Sequence, residues 1–116
     1  LGFEELKKFV IIKDSEIFIE WLQSVEDTTS FAIMDPFVAD NNYSFELPEK
    51  IMKQLDIIDK EDVMIRTVVI IPEDITKIRT NLQAPIVINA KLKKAMQIIL
   101  DDSYPIRYEF YDKAGV

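Results

Sequence analysis

The sequence has no cysteine, no histidine and only two glycines, Gly2 and Gly115. Without cysteine, the chain has no disulfide, no thiolate nucleophile and no cysteine ligand for a metal. Without histidine, it lacks the commonest general base and the commonest transition-metal ligand, which excludes triads built on histidine. Two isolated glycines cannot form the glycine-rich loops that cradle phosphate groups. The usual side chains of redox, nucleophilic and nucleotide-dependent catalysis are therefore missing.

Long hydrophobic runs and an excess of positive charge are missing as well. No apolar run approaches the roughly 18 to 20 residues that a spanning helix needs, and the first residues, LGFEELKK, do not have the pattern of a secretory signal. We therefore expect a cytoplasmic protein with no membrane partner. The formal net charge of −7 opposes direct binding of nucleic acid, which depends on contacts between cations and phosphates. The same charge favours a basic protein partner.

The composition is that of a folded protein with a core. Hydrophobic residues make up 48 % of the chain and charged residues 30 %, which is the balance of a globular protein and not of a disordered one. A length of 116 residues suits one domain, because a second domain would have no core of its own. We therefore predict a single domain over residues 1–116.

Short β-rich segments dominate the chain, and one segment has a helical pattern. In ELPEKIMKQLDI, Pro48 suits a first helical position, and Ile51, Met52 and Leu55 share a face. The predicted strands are 9–13, 17–24, 31–34, 63–71, 77–82, 84–90, 94–100 and 106–111. The segment 63–71 is expected to be a long central strand. Closely spaced strands with one small helix predict a mainly β protein, a small antiparallel β-barrel-like domain with one short helix.

Two positions carry specific structural expectations. Trp21 follows Ile17 and Ile19 at period two, and this spacing predicts that Trp21 is a core aromatic residue. The proline of Asp35-Pro36-Phe37 lacks a ladder donor and restricts the residue before it, so this tripeptide is expected at the edge or end of a strand.

Carboxylates are the only abundant acid–base groups, and they occur mostly in turns. A hydrolase based on two carboxylates would need the acids to converge in a pocket, and no spacing in the sequence indicates this. A calcium loop would need alternating oxygen ligands and a glycine at the sharp turn, and no stretch has that pattern. We therefore predict no metal, no cofactor and no catalytic residue.

Some polar and aromatic residues are not explained by core packing, and these are the candidates for contacts with a partner. Asn81, Gln83 and Asn89 interrupt apolar strands, either to satisfy backbone groups at a bulge around Pro85 or to contact a partner. Tyr104 suits either the core or an interface. The predicted partner-binding residues are Asp35, Pro36, Phe37, Asn81, Gln83, Asn89, Asp101, Asp102 and Tyr104.

Four stretches of the sequence resemble one known family in their order and spacing. They are GFEELKKFVI, WLQSVEDTTSFAIMDPF, ELPEKIMKQLDI and NLQAPIVINAKLKKAMQIILDDSYPIRY. The most specific parts are LQSVED followed by DPF, and NLQAPIVIN leading to YPIR. From Gly2 to about Tyr108, the chain is similar to the flagellar assembly factor FliW.

The resemblance implies a small β-barrel-like fold and a function in binding proteins without catalysis. Members of the family bind CsrA, an RNA-binding repressor of flagellin translation, and also bind newly made flagellin, and the two partners compete. Flagellin retained in the cell occupies FliW and leaves CsrA free to stop flagellin translation. The family also has strands before the GFEEL segment, so we expect this domain to lack its N-terminal strands. A carboxylate-dependent hydrolase and a structural subunit of an assembly are the alternatives.

Overall fold

The computed structural model describes residues 7–13, 17–26, 28–101 and 103–112. Eight strands and two α-helices occur in these ranges, together with two short 3-10 turns. The strands are β1 (Lys7–Lys13), β2 (Glu20–Ser24), β3 (Ser30–Met34), β4 (Val63–Ile70), β5 (Arg79–Thr80), β6 (Ile86–Asn89), β7 (Lys94–Gln97) and β8 (Tyr108–Glu109). The helices are α1 (Pro36–Ala39) and α2 (Glu49–Gln54), and the 3-10 turns are Lys60–Asp62 and Ile75–Lys77. No helix in the described ranges has the length and apolar character that crossing a membrane requires.

The strands form one antiparallel sheet whose pairings run in a circuit. The strand order is β3-β2-β1-β7-β6-β4-β5-β8, and β3 also pairs with β4. Six strands are therefore linked from neighbour to neighbour and back to the first, while β5 and β8 extend the sheet beyond β4. This arrangement confirms the prediction of a mainly β, barrel-like fold.

Strand β4 is central because its pairing partner changes along its length. Val63–Arg66 pairs with β6, Thr67 and Val68 pair with β3, and Val69 and Ile70 pair with β5. The apolar run of this segment is explained by burial on both faces, since the adjacent residues Val68 and Val69 pack in two different core clusters. The predicted long central strand is confirmed.

The core has more than one layer. Leu22, Ile33 and Ile86 are fully buried in one cluster, to which β2, β3 and β6 contribute. All four residues of β6 are buried, because Val87 packs on the opposite side with Leu55, just after α2. Buried residues on both faces give β6 its continuous apolar sequence in place of an alternating one.

The prediction for Trp21 was wrong. Its side chain is 40 % exposed, whereas the next residue, Leu22, is completely buried. Successive side chains of a strand point to opposite faces, so the inward position of Leu22 sends Trp21 outward. Ile17 is also exposed, and β2 begins only at Glu20, so the period-two pattern was extended across a bend.

The expectation of one short helix was incomplete. Strand β3 ends at Met34, as the proline predicted, but the chain then forms the single turn of α1. The Asp35 side chain accepts a hydrogen bond from the Phe37 amide and caps this helix. In the second helix, Pro48 is the N-cap residue and not the first helical residue, and α2 is shorter than the predicted segment.

Candidate partner-binding surface

Tyr43 supports a group of aromatic side chains between α1 and α2. Its hydroxyl donates a hydrogen bond of 2.6 Å to the carbonyl oxygen of Leu82, and only 1 % of the residue is exposed. The centroid of its ring lies 6.1 Å from that of Phe37, 5.9 Å from that of Phe45 and 4.7 Å from that of Tyr104. Such separations are favourable for aromatic pairs. We call Phe37, Tyr43, Phe45 and Tyr104 together the aromatic surface.

The short helix α1 presents Phe37 at one side of this surface. Pro36 is buried and Phe37 is 48 % exposed, so the proline anchors the turn while the phenylalanine faces solvent. After the helix, the Asp40 carbonyl oxygen accepts a hydrogen bond from the Tyr43 amide. The same turn that exposes Phe37 therefore also holds the ring beneath it.

Tyr104 fixes the other side of the aromatic surface. Its hydroxyl accepts a hydrogen bond from the Ser44 amide and donates one to the Ser44 carbonyl oxygen, both at 3.1 Å. Two bonds to one backbone residue hold the segment after β7 against the segment that follows Tyr43. Both sides are therefore positioned before any partner binds, which reduces the entropy lost on binding.

Two recesses lie beside the aromatic surface. A recess of about 680 Å³ is lined by Phe37, Tyr43 and Phe45 together with Lys60 and Ile65. A second, of about 750 Å³, shares Phe45 and Glu46 with the first and includes the exposed residues Ile99 and Asp101. Glu46 and Lys60 line the first recess, and Glu46, Asp101 and Lys50 line the second. Apolar walls with charges of both signs suit a partner that carries apolar and charged groups.

The structure brings three of the nine predicted partner-binding residues to the segment Tyr43–Leu47. Phe37 contacts Tyr43 from α1, where Asp35 and Pro36 precede it, and Tyr104 contacts Tyr43 from the segment after β7. Asp101 lines a recess with two residues of the same segment. Asp102 lies outside the described residues.

Asn81 and Gln83 lie near a turn before β6. The Asn81 carboxamide oxygen accepts hydrogen bonds from the amides of Gln83 and Ala84, at 3.1 and 3.2 Å. The Gln83 carbonyl oxygen accepts a bond from the Leu100 amide. The interpretation that Asn81 satisfies backbone groups near Pro85 is confirmed. A contact of either side chain with a partner stays a prediction.

Asn89 has a structural role. Its residue is 2 % exposed, and its amide nitrogen donates to the carbonyl oxygens of Leu55 and Asp56. Its carboxamide oxygen accepts from the amides of Lys91 and Leu92. These bonds tie the turn between β6 and β7 to the end of α2. Because the side chain is enclosed and its polar atoms are used within the chain, we leave Asn89 out of the candidate surface.

Tyr43 and Phe45 were missed by sequence reasoning. They lie in the stretch NNYSF, for which neither a strand nor a binding residue was predicted. A signal was present, because Tyr43, Phe45 and Leu47 alternate with polar residues, which is typical of an extended segment with one apolar face.

The described residues contain no arrangement typical of a metal site. They include no group of three or more acidic side chains that could hold a metal ion. The pKa of Asp74 is lowered below its ordinary value by hydrogen bonds from the hydroxyl and amide of Thr76. A catalytic general acid would require a raised pKa, so Asp74 does not suit that role.

The sequence and the fold of this chain are both similar to those of known proteins. The family model described as FliW protein matches residues 1–110. A flagellar assembly factor FliW from Caldicellulosiruptor saccharolyticus is 46 % identical over 113 residues, covering 96 % of this chain and 74 % of that protein. One from Ruminiclostridium cellulolyticum is 40 % identical over 117 residues, covering 97 % and 79 %. A crystal structure of the flagellar assembly factor FliW matches with a TM-score of 0.80 and 29 % identity, covering 88 % of this chain and 73 % of that one.

Proposed function

Because the chain belongs to the FliW family of flagellar assembly factors, we propose that it acts in the cytoplasm by binding proteins and not by catalysis. The observation that carries this proposal is the exposure of Phe37 on a preorganised support. An aromatic side chain that is half exposed, and whose neighbours are fixed by hydrogen bonds, has the character of an interface anchor.

The proposed partners are CsrA and flagellin, and the proposed role is to couple flagellin synthesis to flagellin export. In this scheme the chain antagonises CsrA when free and is sequestered by flagellin that accumulates in the cell. The resemblance supports both partners, and the surface supports binding by apolar contact. The net charge of −7 supports CsrA in particular, since a protein that binds RNA must present cations to phosphates.

Charge and apolar contact have separate effects in this proposal. Asp101 and Glu46 are exposed at the margin of the aromatic surface, where charges chiefly steer the encounter and set the association rate. Phe37 offers an apolar contact, and apolar contacts that a partner buries chiefly set the dissociation rate. The two kinds of residue can therefore be distinguished by kinetics.

The proposal is tested by competition between the two partners. Fluorescently labelled CsrA is bound to this chain, unlabelled flagellin is titrated in, and release of CsrA is followed by anisotropy. We expect flagellin to release CsrA, and the Phe37→Ala variant to bind CsrA more weakly from the start. A stable ternary complex with both affinities unchanged contradicts partner exchange, because coupling between two sites is reciprocal. Failure of both proteins to bind contradicts the proposed function itself.

A further inference from the structure

A third recess lies on the sheet extension formed by β4, β5 and β8. Arg79 pairs with Ile70 on one side and with Glu109 on the other, and the Asn81 amide donates to the Val68 carbonyl oxygen. Arg79 and Asn81 are two residues apart along an extended segment, so they share a face. The recess measures about 300 Å³ and is lined by Val68, Ile70, Arg79, Thr80, Asn81, Ile106 and Arg107.

The two arginines of this recess have no carboxylate partner among the described residues. The ion pairs in those residues join Lys13 and Arg66 to Glu20, and Lys94 to Asp56. Glu109 is the strand neighbour of Arg79, yet the two side chains make no ion pair within 4 Å. Both guanidinium groups therefore remain available for a carboxylate from outside the described residues.

The remaining lining of the recess suits a carboxylate next to apolar side chains. Two backbone amides fix the carboxamide oxygen of Asn81, and its amide nitrogen donates no hydrogen bond within the described residues. It thus adds a neutral donor to the two guanidinium groups. Ile70 is 45 % exposed and Ile106 is 59 % exposed at the walls. Guanidinium groups bind carboxylates through paired N–H donors. Removing the exposed isoleucine side chains from water by contact with apolar groups of a partner is favourable.

We propose that this recess, which we call the arginine recess, binds an acidic segment of a protein partner in which apolar residues flank the carboxylate. Arg79 and Arg107 hold the carboxylate, and Ile70 and Ile106 contact the flanking side chains. A nucleic acid is disfavoured, because two cations in a chain of net charge −7 neutralise few phosphates. The lining and charges of the recess carry this assignment. Flagellin, the proposed partner that is not required to be basic, is the expected source of the acidic segment, and only this step rests on the proposed function.

The test uses the whole chain and two blocked peptides. The peptide Ser-Leu-Glu-Glu-Leu-Ser supplies carboxylates between leucines, and Ser-Leu-Gln-Gln-Leu-Ser replaces them with neutral amides of similar shape. Each is titrated into isotope-labelled protein while the arginine Nε–H and backbone N–H signals are followed by NMR. We expect saturable shifts at Arg79, Arg107 and Ile106 with the acidic peptide. Because the arginines are exposed or half-buried and solvent weakens such ion pairs, the neutral peptide should bind several-fold more weakly.

Three variants sharpen the test. Arg79→Gln and Arg107→Gln should each weaken binding of the acidic peptide several-fold. Lys91→Gln removes one positive charge from the exposed turn after β6 and should leave binding unchanged. Glu109→Gln should strengthen binding, since it removes the carboxylate nearest to Arg79 in the sheet. Dispersed amide spectra show that each variant is folded.

Several outcomes overturn the proposal. They are equal binding of the two peptides, shifts spread over the whole surface, the absence of shifts at the two arginines, and equal effects of Lys91→Gln and Arg107→Gln. A short RNA that shifts the same arginine signals and displaces the peptide shows that the recess binds polyanions instead. None of these results depends on CsrA or flagellin, so failure of the arginine recess is distinguishable from failure of the partner exchange.

Discussion

The turn at Asn89 and the aromatic surface look alike in sequence but differ in structure. In both, polar or aromatic residues occur where the alternation of apolar and polar residues does not account for them. At Asn89, two donated and two accepted hydrogen bonds stay within the chain, and the residue is enclosed. At the aromatic surface, Tyr43 is enclosed in the same way while Phe37 above it remains half exposed. A residue that core packing does not explain therefore indicates a binding site only if part of its side chain remains exposed in the folded protein.

The largest effect on stability is expected from Asn89→Ala. The change removes one buried hydrogen bond, to the Leu55 carbonyl oxygen, and three partly buried ones, so we expect a loss of about 2 to 4 kcal/mol. Urea denaturation measures the loss, with an unchanged slope showing that the transition is still comparable. Asn41→Ala, in an exposed turn, serves as the control. An equal loss in both variants would contradict a structural role of the Asn89 side chain. A loss of partner binding in a folded Asn89→Ala protein would show that Asn89 belongs to the binding surface.

Phe37→Ala should show the opposite behaviour. We expect affinity for CsrA or flagellin to fall by about 2 kcal/mol, the scale of an interface anchor, while unfolding free energy falls by less than about 1 kcal/mol because half of the side chain is already in water. Titration calorimetry and urea denaturation measure the two quantities. Val38→Ala is a matched control, since Val38 is 40 % exposed in the same helix. Equal effects of both changes on binding would contradict an anchor at Phe37.

Tyr43→Phe tests the support beneath the surface. The variant keeps the ring but leaves the Leu82 carbonyl oxygen without its donor, so we expect a loss of about 1 kcal/mol in stability. Tyr111→Phe is the comparison, because the Tyr111 hydroxyl makes no hydrogen bond within the described residues. Thermal and urea unfolding of the two variants measure the difference. An unchanged stability for Tyr43→Phe would mean that ring packing alone holds the aromatic surface.

Reversing the charge of Asp101 should act mainly on the association rate. We expect Asp101→Lys to slow association with CsrA several-fold at low salt, with little change in dissociation. The screening length falls from about 10 Å at 0.1 M salt to about 3 Å at 1 M, so the difference should fade over that interval. Stopped-flow fluorescence measures both rates. Glu73→Lys, an exposed reversal in the turn after β4, is the control, and equal slowing by both changes would indicate a general charge effect.

The smallest effect is expected at Asp74. Hydrogen bonds from the Thr76 hydroxyl and amide, and then the charge of Lys77, lower the pKa of Asp74 below its ordinary value of 3.8, while burial opposes the shift. A lowered pKa in the folded state contributes stability that is present above the unfolded value and is lost as the pH falls through the folded value. Asp74→Asn should therefore be slightly less stable than the parent at neutral pH, and the difference should vanish in acid. Unfolding measured from pH 7 down to about pH 2 tests this; a difference independent of pH would exclude a role for the charge.

Particular residues show how far sequence reasoning reached. Alternation and turn residues located most strands and the break at Asp35-Pro36, because both depend on local geometry. The same alternation misplaced Trp21, since only the register with β1 and β3 decides which face of β2 is inside. Helix boundaries near Pro48 shifted for the same reason, because capping depends on the neighbouring backbone.

The sequence by itself determined the classes of chemistry that the chain lacks, its acidic charge, its mainly β character and its resemblance to FliW. These follow from residue types and from their order along the chain. Only the tertiary structure decided that Phe37 and Tyr104 both contact Tyr43 and that the polar atoms of Asn89 bond within the chain. It also decided that Arg79 and Arg107 line one recess. The physical reason is that each of these depends on contacts between residues far apart in the chain, and such contacts are set by strand register and burial, which local patterns do not specify.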